Sequence, residues 1–137
     1  MASGASANDK PELVIYTYDS FASEWGPGPQ IKTEFEKTCE CVVTFVGLDS
    51  SVGILGRLQL EGAASKADIA LGLDTSLTSV AASTGLFAPH RIETAGKLAL
   101  PDDVSAWTDP QFVPYDWGYF HKLLQQLKGG NALWPFL

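Results

Sequence analysis

The fold is decided by residues 14–37, which read Val-Ile-Tyr-Thr-Tyr-Asp-Ser-Phe-Ala-Ser-Glu-Trp-Gly-Pro-Gly-Pro-Gln-Ile-Lys-Thr-Glu-Phe-Glu-Lys. The stretch begins like a buried strand, becomes a polar and aromatic loop at Tyr18, and ends with the spacing of a helix. Prolines in the Trp25–Pro29 segment suit a helix start. Because open α/β sheets bind ligands beyond the carboxyl ends of their strands, this loop is predicted to form half of a binding cleft.

The same alternation continues along the chain. Apolar runs predict strands at 12–17, 41–48 and 67–73. Helical spacing predicts one helix marked by Ile31, Phe35 and Thr38, a second over Val52 to Leu60 and a third over Ser76 to Ser83. Asp49-Ser50-Ser51 is interpreted as a loop and helix cap, and residues 112–120 are aromatic and strand-like. This alternation favours an α/β fold with a parallel sheet and right-handed crossovers.

Length and charge restrict the classes of function. A chain of 137 residues suits one domain, and its net charge of −7 argues against a nucleic-acid partner and favours a cationic one, with solubility alone as the alternative. It contains no run of 18 apolar residues. Residues 1–10 lack the basic and apolar regions of a signal peptide and are predicted to be a flexible leader, either following a removed signal or at a cytoplasmic N-terminus.

The chain shows no catalytic or cofactor motif. We find no nucleophile–base pair and no metal-ligand cluster, and the glycines lack the spacing of a phosphate-binding loop. No enzymatic activity, metal or cofactor is therefore predicted. Cys39 and Cys41 cannot close a structural zinc site alone. They are either a strained disulfide or two free, half-buried thiols.

Aromatic and acidic residues near the predicted strand ends are the candidate binding groups. Tyr18 and Trp25 offer faces that attract cations, with core packing or a loop lid as the alternative. Asp19, Asp49 and Asp74 would give the cleft a negative potential, with a solvated rim as the alternative. For Asp74, a second alternative is a cap on the following helix.

Six motifs in order carry a family resemblance. They are Tyr16-Thr-Tyr-Asp-Ser-Phe21, Trp25-Gly-Pro-Gly-Pro29, Ser65-Lys-Ala-Asp68, Leu71-Gly-Leu-Asp74, Thr84-Gly-Leu-Phe87 and Phe112-Val-Pro-Tyr-Asp-Trp-Gly-Tyr-Phe120. Together they resemble the N-terminal part of the periplasmic thiamine-binding proteins, which are the solute receptors of thiamine ABC importers. The close cysteine pair is similar too.

The resemblance implies a truncated form of the type II periplasmic binding fold: one parallel-sheet lobe with three αβα layers. Residues 1–10 would be the leader, 11–120 the N-terminal lobe and 121–137 a tail outside the family. The implied function is binding of thiamine, or a phosphate ester of it, for an ABC permease of the inner membrane, in the periplasm. Weakened binding is expected because the second lobe is missing. The resemblance implies that Tyr18 stacks on a thiamine ring, places Ser50 and Ser51 at ligand-contacting positions, and implies a disulfide between Cys39 and Cys41. With the strand-end candidates, the predicted ligand residues are Tyr18, Asp19, Trp25, Asp49, Ser50, Ser51, Asp74 and Tyr115.

One departure lies within the ligand set. Ser50 and Ser51 stand where the family has an Asp-Gly pair, and Asp49 is the candidate to supply the carboxylate. The tail is a second departure, which a frameshift, a natural truncation or an engineered fragment would each explain. Its Phe120, Leu123, Leu124 and Leu127 follow a helical spacing. We expect the tail to dock on its own lobe or on a second copy, giving a homodimer.

Two other classes of function remain open from the sequence. The chain is alternatively a single-lobe α/β domain or fragment without ligand function that associates with itself. The alternation would also suit a small flavodoxin-like enzyme or signalling domain, although the lack of a phosphate-binding loop after the first strand counts against a flavin.

Overall fold

The computed structural model describes residues 10–93 and 107–116, together with the backbone of two strands in the tail. Three parallel strands form a sheet: β1 (Glu12–Tyr18), β2 (Val42–Leu48) and β3 (Ile69–Ala70). Their order is β2-β1-β3, with Tyr16 opposite Val46 in β2 and Ala70 in β3. The parallel α/β fold predicted from the alternation is confirmed.

In the described residues, four helices and one short 3-10 helix follow the strands. They are α1 (Asp19–Ala22), α2 (Gly28–Cys39), α3 (Ser51–Glu61), the 3-10 helix (Gly62–Ala64) and α4 (Thr78–Ser83). The chain moves from β1 to β2 in one direction and then back across β1 to β3. Right-handed crossovers in opposite directions put α2 and α3 on opposite faces of the sheet, which produces three layers.

Two cores follow from the alternation of side chains along β1. Tyr16 faces α3 and is buried with Ile54 and Leu58. On the other face, Phe21 of α1 meets Phe45 of β2 edge to face, with ring centroids 5.5 Å apart. Gly28 begins α2 against these rings, where a Cβ would lie 2.5 Å from the Phe21 carbonyl oxygen. Position 28 in the Trp25–Pro29 segment is therefore a glycine because the backbone approaches this aromatic core closely.

The outer edge of β2 is covered by an ion pair from α2. Glu36 Oε1 accepts the N–H of Val43 at 2.7 Å, and Lys32 Nζ donates to the Val43 carbonyl. Lys32 and Glu36 also pair with each other at 2.9 Å, one helical turn apart. Charged side chains on an edge strand oppose pairing with another chain. The edge of β2 is thus protected at Val43 against pairing with a strand of another chain.

Cys39 and Cys41 are joined in a disulfide between the end of α2 and the start of β2. Glu40 between them has φ 52° and ψ 29°, the left-handed conformation that caps α2. A non-glycine residue there costs about 1–2 kcal/mol. The local strain that the one-residue spacing predicts is therefore carried by the backbone of Glu40.

Several predicted elements differ in the structure. The strand predicted over 67–73 has only two paired residues, because the chain leaves β1 at Gly72, which has φ 108°. The helix predicted over 76–83 begins at Thr78, and residues 112–116 of the aromatic segment are not a strand. Helix α1 was not predicted. The predicted leader, 1–9 in particular, lies outside the described residues.

The predicted helix in the tail is wrong over Leu123–Gln126. This segment is strand β4, which pairs antiparallel with β5 (Leu133–Phe136). Four apolar residues at helical spacing were too short a pattern to exclude a strand. The sequence between the two strands contains Gly129, Gly130 and Asn131, residue types typical of hairpin turns, and that signal was overlooked.

Candidate functional site

The carboxyl end of β1 is where the topology favours a site. Because β2 and β3 lie on opposite sides of β1, the connections diverge there, and this is where open α/β sheets bind ligands. Tyr18 is the last residue of β1, and its side chain is partly exposed. Its hydroxyl donates to the Gly72 carbonyl at 2.5 Å, so the ring spans from β1 to the segment after β3.

The start of α3 forms a second part of this edge. Ser50 caps the helix, since its Oγ accepts the N–H of Gly53 at 3.0 Å. Its hydroxyl also donates to Asp49 Oδ1 at 3.1 Å. These contacts confirm that Asp49-Ser50-Ser51 forms a loop and cap. They also mean that Ser50 and Asp49 already stabilise the helix terminus.

Asp74 forms a tight turn after β3. Its Oδ1 accepts the N–H of Ser76 at 2.9 Å and also the Ser76 hydroxyl, and its carbonyl accepts the N–H of Leu77. The predicted cap is therefore an Asx turn, placed ahead of α4 rather than at its N-cap. The Ser76 hydroxyl, more than any other group, lowers the pKa of Asp74, with a further contribution from the Ser51 hydroxyl. Asp74 is accordingly held as a carboxylate.

Tyr18, Ser51 and Asp74 come together at this edge. Burial raises the pKa of Tyr18, the Ser51 hydroxyl opposes that shift, and the carboxylates of Asp116 and Asp74 add to it. The phenol is thus kept neutral beside two negative charges. A neutral aromatic ring beside carboxylates is an arrangement that can attract an organic cation.

The segment 107–116 brings Tyr115 against α1. His90 holds this segment through its backbone N–H to the Pro110 carbonyl and its Nε2 to the Asp109 carbonyl, 3.0 and 3.1 Å. Tyr115 packs edge to face on Phe21, with ring centroids 5.8 Å apart, and is 56% exposed. Sequence reasoning overlooked both Asp116 and the anchoring role of His90, because neither contact is local in sequence.

Asp19 and Trp25, two further predicted ligand residues, are both exposed. Asp19 is exposed, and its Oδ1 lies against Gly47, where a Cβ would meet it at 2.2 Å. Trp25 is 81% exposed. The structure places both beyond the end of β1 without joining them to the group at Tyr18, and their part in binding stays a prediction.

The described residues contain neither a metal-binding cluster nor a membrane-spanning helix. Within residues 10–93 and 107–116, no three His, Cys, Asp or Glu side chains are arranged to hold a metal ion. In those ranges no helix is long and apolar enough to cross a bilayer.

Several known proteins are similar to this chain. No family model matches. Proteins named thiamine-binding periplasmic protein are 52% identical over 120 residues in Brucella abortus and 48% identical over 111 residues in Escherichia coli, covering 88% and 81% of this chain. A third, from Haemophilus influenzae, is 39% identical and covers 95% of the chain, so its alignment must extend beyond residue 120.

The chain spans about a third of the length of these relatives: 34%, 33% and 38%. A solved structure described as a periplasmic thiamin binding protein superposes with a TM-score of 0.73 at 43% identity, covering 85% of this chain and 35% of its own. These names describe a binding protein and not an enzyme, which agrees with the prediction of no catalytic function. Over the third of their length that it spans, the chain is similar in sequence and fold to proteins named as periplasmic thiamine-binding proteins.

Proposed function

We propose that this chain forms one wall of a thiamine-binding cleft, as part of the substrate-binding component of an ABC importer. The observation that carries the proposal is the grouping of Tyr18, Ser51 and Asp74 at the carboxyl edge of the sheet. Thiamine combines a thiazolium cation with a flat aminopyrimidine. The ring of Tyr18 suits both, and the carboxylate of Asp74 complements the cation.

The charges at this edge favour free thiamine over its phosphate esters. Asp74 and Asp116 both act on Tyr18, and Asp49 lies at the start of α3. A phosphate group would add negative charge beside these carboxylates. We therefore expect affinity to fall from thiamine to thiamine monophosphate, and binding to weaken as salt screens the attraction.

Calorimetric titration with thiamine tests the proposal. Tyr18→Ala should weaken binding at least about tenfold, which corresponds to 1.4 kcal/mol. Phe35→Ala is the matched control, because Phe35 is an aromatic residue 47% exposed on α2, on the opposite layer from α3. Equal affinity of the wild type and Tyr18→Ala would contradict the assignment of Tyr18.

A titration with the uncharged aminopyrimidine half of thiamine separates stacking from charge. The proposal expects it to bind more weakly than thiamine itself, because it lacks the cation. The alternative function, an α/β domain that binds no ligand and associates with itself, would be favoured if thiamine gives no heat while the protein is folded and dimeric.

The compartment and the partners are proposals as well. The relatives are periplasmic by name, and a disulfide between Cys39 and Cys41 suits an oxidising compartment. The proposed partner is an inner-membrane permease, contacted by the complete two-lobed receptor. A homodimer through residues 121–137 is tested by light scattering of the full chain beside a variant that ends at residue 120. A monomer in both would exclude it.

A further inference from the structure

Gly72 lies directly beneath the ring of Tyr18. The N–H of Leu71 donates to the Tyr16 carbonyl at 2.8 Å and holds this segment beside β1. A Cβ built on Gly72 would lie 2.3 Å from Cζ of Tyr18 and 2.6 Å from both its Cε2 and its hydroxyl oxygen. Only a residue without a side chain fits beneath the ring in this position.

The contact also engages the hydroxyl of Tyr18. A phenol has one proton to donate, and here that proton goes to the Gly72 carbonyl at 2.5 Å. The ring is thus fixed at its far end as well as at its Cα. What it can still offer a ligand is its face.

We propose that Gly72 is a positioning residue that sets the orientation in which Tyr18 meets the ligand. This inference rests on the proposed function, in which Tyr18 contacts a thiamine ring. Attraction between a cation and an aromatic ring requires the cation over the ring face, within about 6 Å of its centre. The angle of the Tyr18 ring therefore determines the affinity for the cation. Gly72 fixes that angle in two ways: it has no side chain that would displace the ring, and its carbonyl accepts the hydroxyl of Tyr18.

Two other glycines allow the contact between Gly72 and the Tyr18 ring to be distinguished from a requirement for positive φ. Gly62, Gly72 and Gly85 all have positive φ, of 52°, 108° and 70°. At Gly62 and Gly85, an added Cβ would meet no atom within 4 Å, whereas at Gly72 it would meet the ring of Tyr18. Gly85→Ala is thus a control that brings in backbone strain without a contact to the site.

The experiment compares Gly72→Ala with Gly85→Ala by thiamine calorimetry and by NMR of labelled tyrosine rings without ligand. Gly72→Ala should weaken thiamine binding at least about tenfold and Gly85→Ala by less than about twofold. In Gly72→Ala, the ring signals of Tyr18 should shift more than those of Tyr16, two residues earlier in β1. Wild-type affinity with unmoved Tyr18 signals would overturn the proposal.

A double variant completes the test. In a Tyr18→Ala background, Gly72→Ala should cause no further loss of affinity, because the ring it displaces is absent. If Gly72→Ala alone does not fold, recovery of folding in Tyr18→Ala/Gly72→Ala supports the contact, and no recovery assigns Gly72 to the backbone alone and overturns the proposal.

Failure of the proposed function gives a different result. If the wild type does not bind thiamine, the NMR comparison still decides the role of Gly72. A shift of the Tyr18 signals in Gly72→Ala supports the positioning role, and unmoved signals reject it.

Discussion

Tyr16 and Tyr18 lie two residues apart on the same face of β1, and their surroundings differ. Tyr16 is 4% exposed, and its hydroxyl donates to both carboxylate oxygens of Glu61, at 3.1 and 2.9 Å. Arg57 lies over its ring, 6.0 Å from the centroid. Tyr18 stands at the open end of the same strand, with its hydroxyl on a single backbone carbonyl.

The difference shows how position along one strand separates a structural role from the binding role proposed for Tyr18. Tyr16 faces the body of α3, whose last residue, Glu61, completes a network with Arg57 and Ser65. Tyr18 faces the start of α3, where the helix no longer covers the sheet. Burial is the main cause that raises the pKa of both phenols. Only the one at the edge retains surface that a ligand can reach.

Truncating the two side chains should give the largest contrast. Tyr16→Ala should lower the free energy of unfolding by about 3–5 kcal/mol, since it leaves a cavity and removes a donor to Glu61. Tyr18→Ala should cost about 1–2 kcal/mol, because part of this side chain is already solvated. Urea unfolding measures both, and equal losses would contradict the comparison.

Acidification should weaken the network at Tyr16. The hydrogen bond from Arg57, followed by those from Ser65 and Tyr16, lowers the pKa of Glu61 from 4.5. A lowered folded pKa contributes stability above the ordinary value, and that stability is lost as the pH falls through the folded pKa.

The Glu61→Gln variant isolates this contribution. Its melting temperature should fall less than that of the wild type when the pH drops below about 4.5, because glutamine does not titrate. Circular dichroism measures both profiles. Parallel profiles for the two proteins would show that Glu61 makes no pH-dependent contribution.

Replacing each tyrosine with phenylalanine removes only its hydroxyl and tests the same contrast between Tyr16 and Tyr18. Tyr16→Phe should lower the free energy of unfolding by about 1 kcal/mol, because the carboxylate of Glu61 loses a donor at the buried ring. Tyr18→Phe should cost less, since water can replace the hydroxyl at the Gly72 carbonyl. The measurement is again urea unfolding, and a larger cost at Tyr18 would reverse the assignment of roles.

The smallest effect is expected for Thr17, which lies between the two tyrosines in β1. Thr17 is 0% exposed on the opposite face of β1, and its hydroxyl has no hydrogen-bond partner among the described residues. Thr17→Val keeps the shape and removes the unpaired group, so stability should stay unchanged or rise by up to about 1 kcal/mol. A loss of more than that would indicate a hydrogen bond made by the hydroxyl.

Much of the fold could be predicted because its signals are local. The apolar runs of β1 and β2, the helical spacing of α2 and α3, and Ser50 as a cap each depend on neighbouring residues. Strand β3 was overestimated because Leu71 and Leu73 look like strand residues in sequence. The turn at Gly72 and the ring of Tyr18 end the pairing after two residues.

The sequence by itself determined the alternation of strands and helices, the acidic charge, and the candidates Tyr18, Ser51 and Asp74 at predicted strand ends. Only the tertiary structure brought these three together, put Asp116 beside Tyr18, and made Gly72 the support of its ring. The physical reason is distance along the chain. Periodicity and capping act within a few residues, whereas Tyr18 and Gly72 meet across 54 positions through a parallel sheet whose strand order only the fold decides.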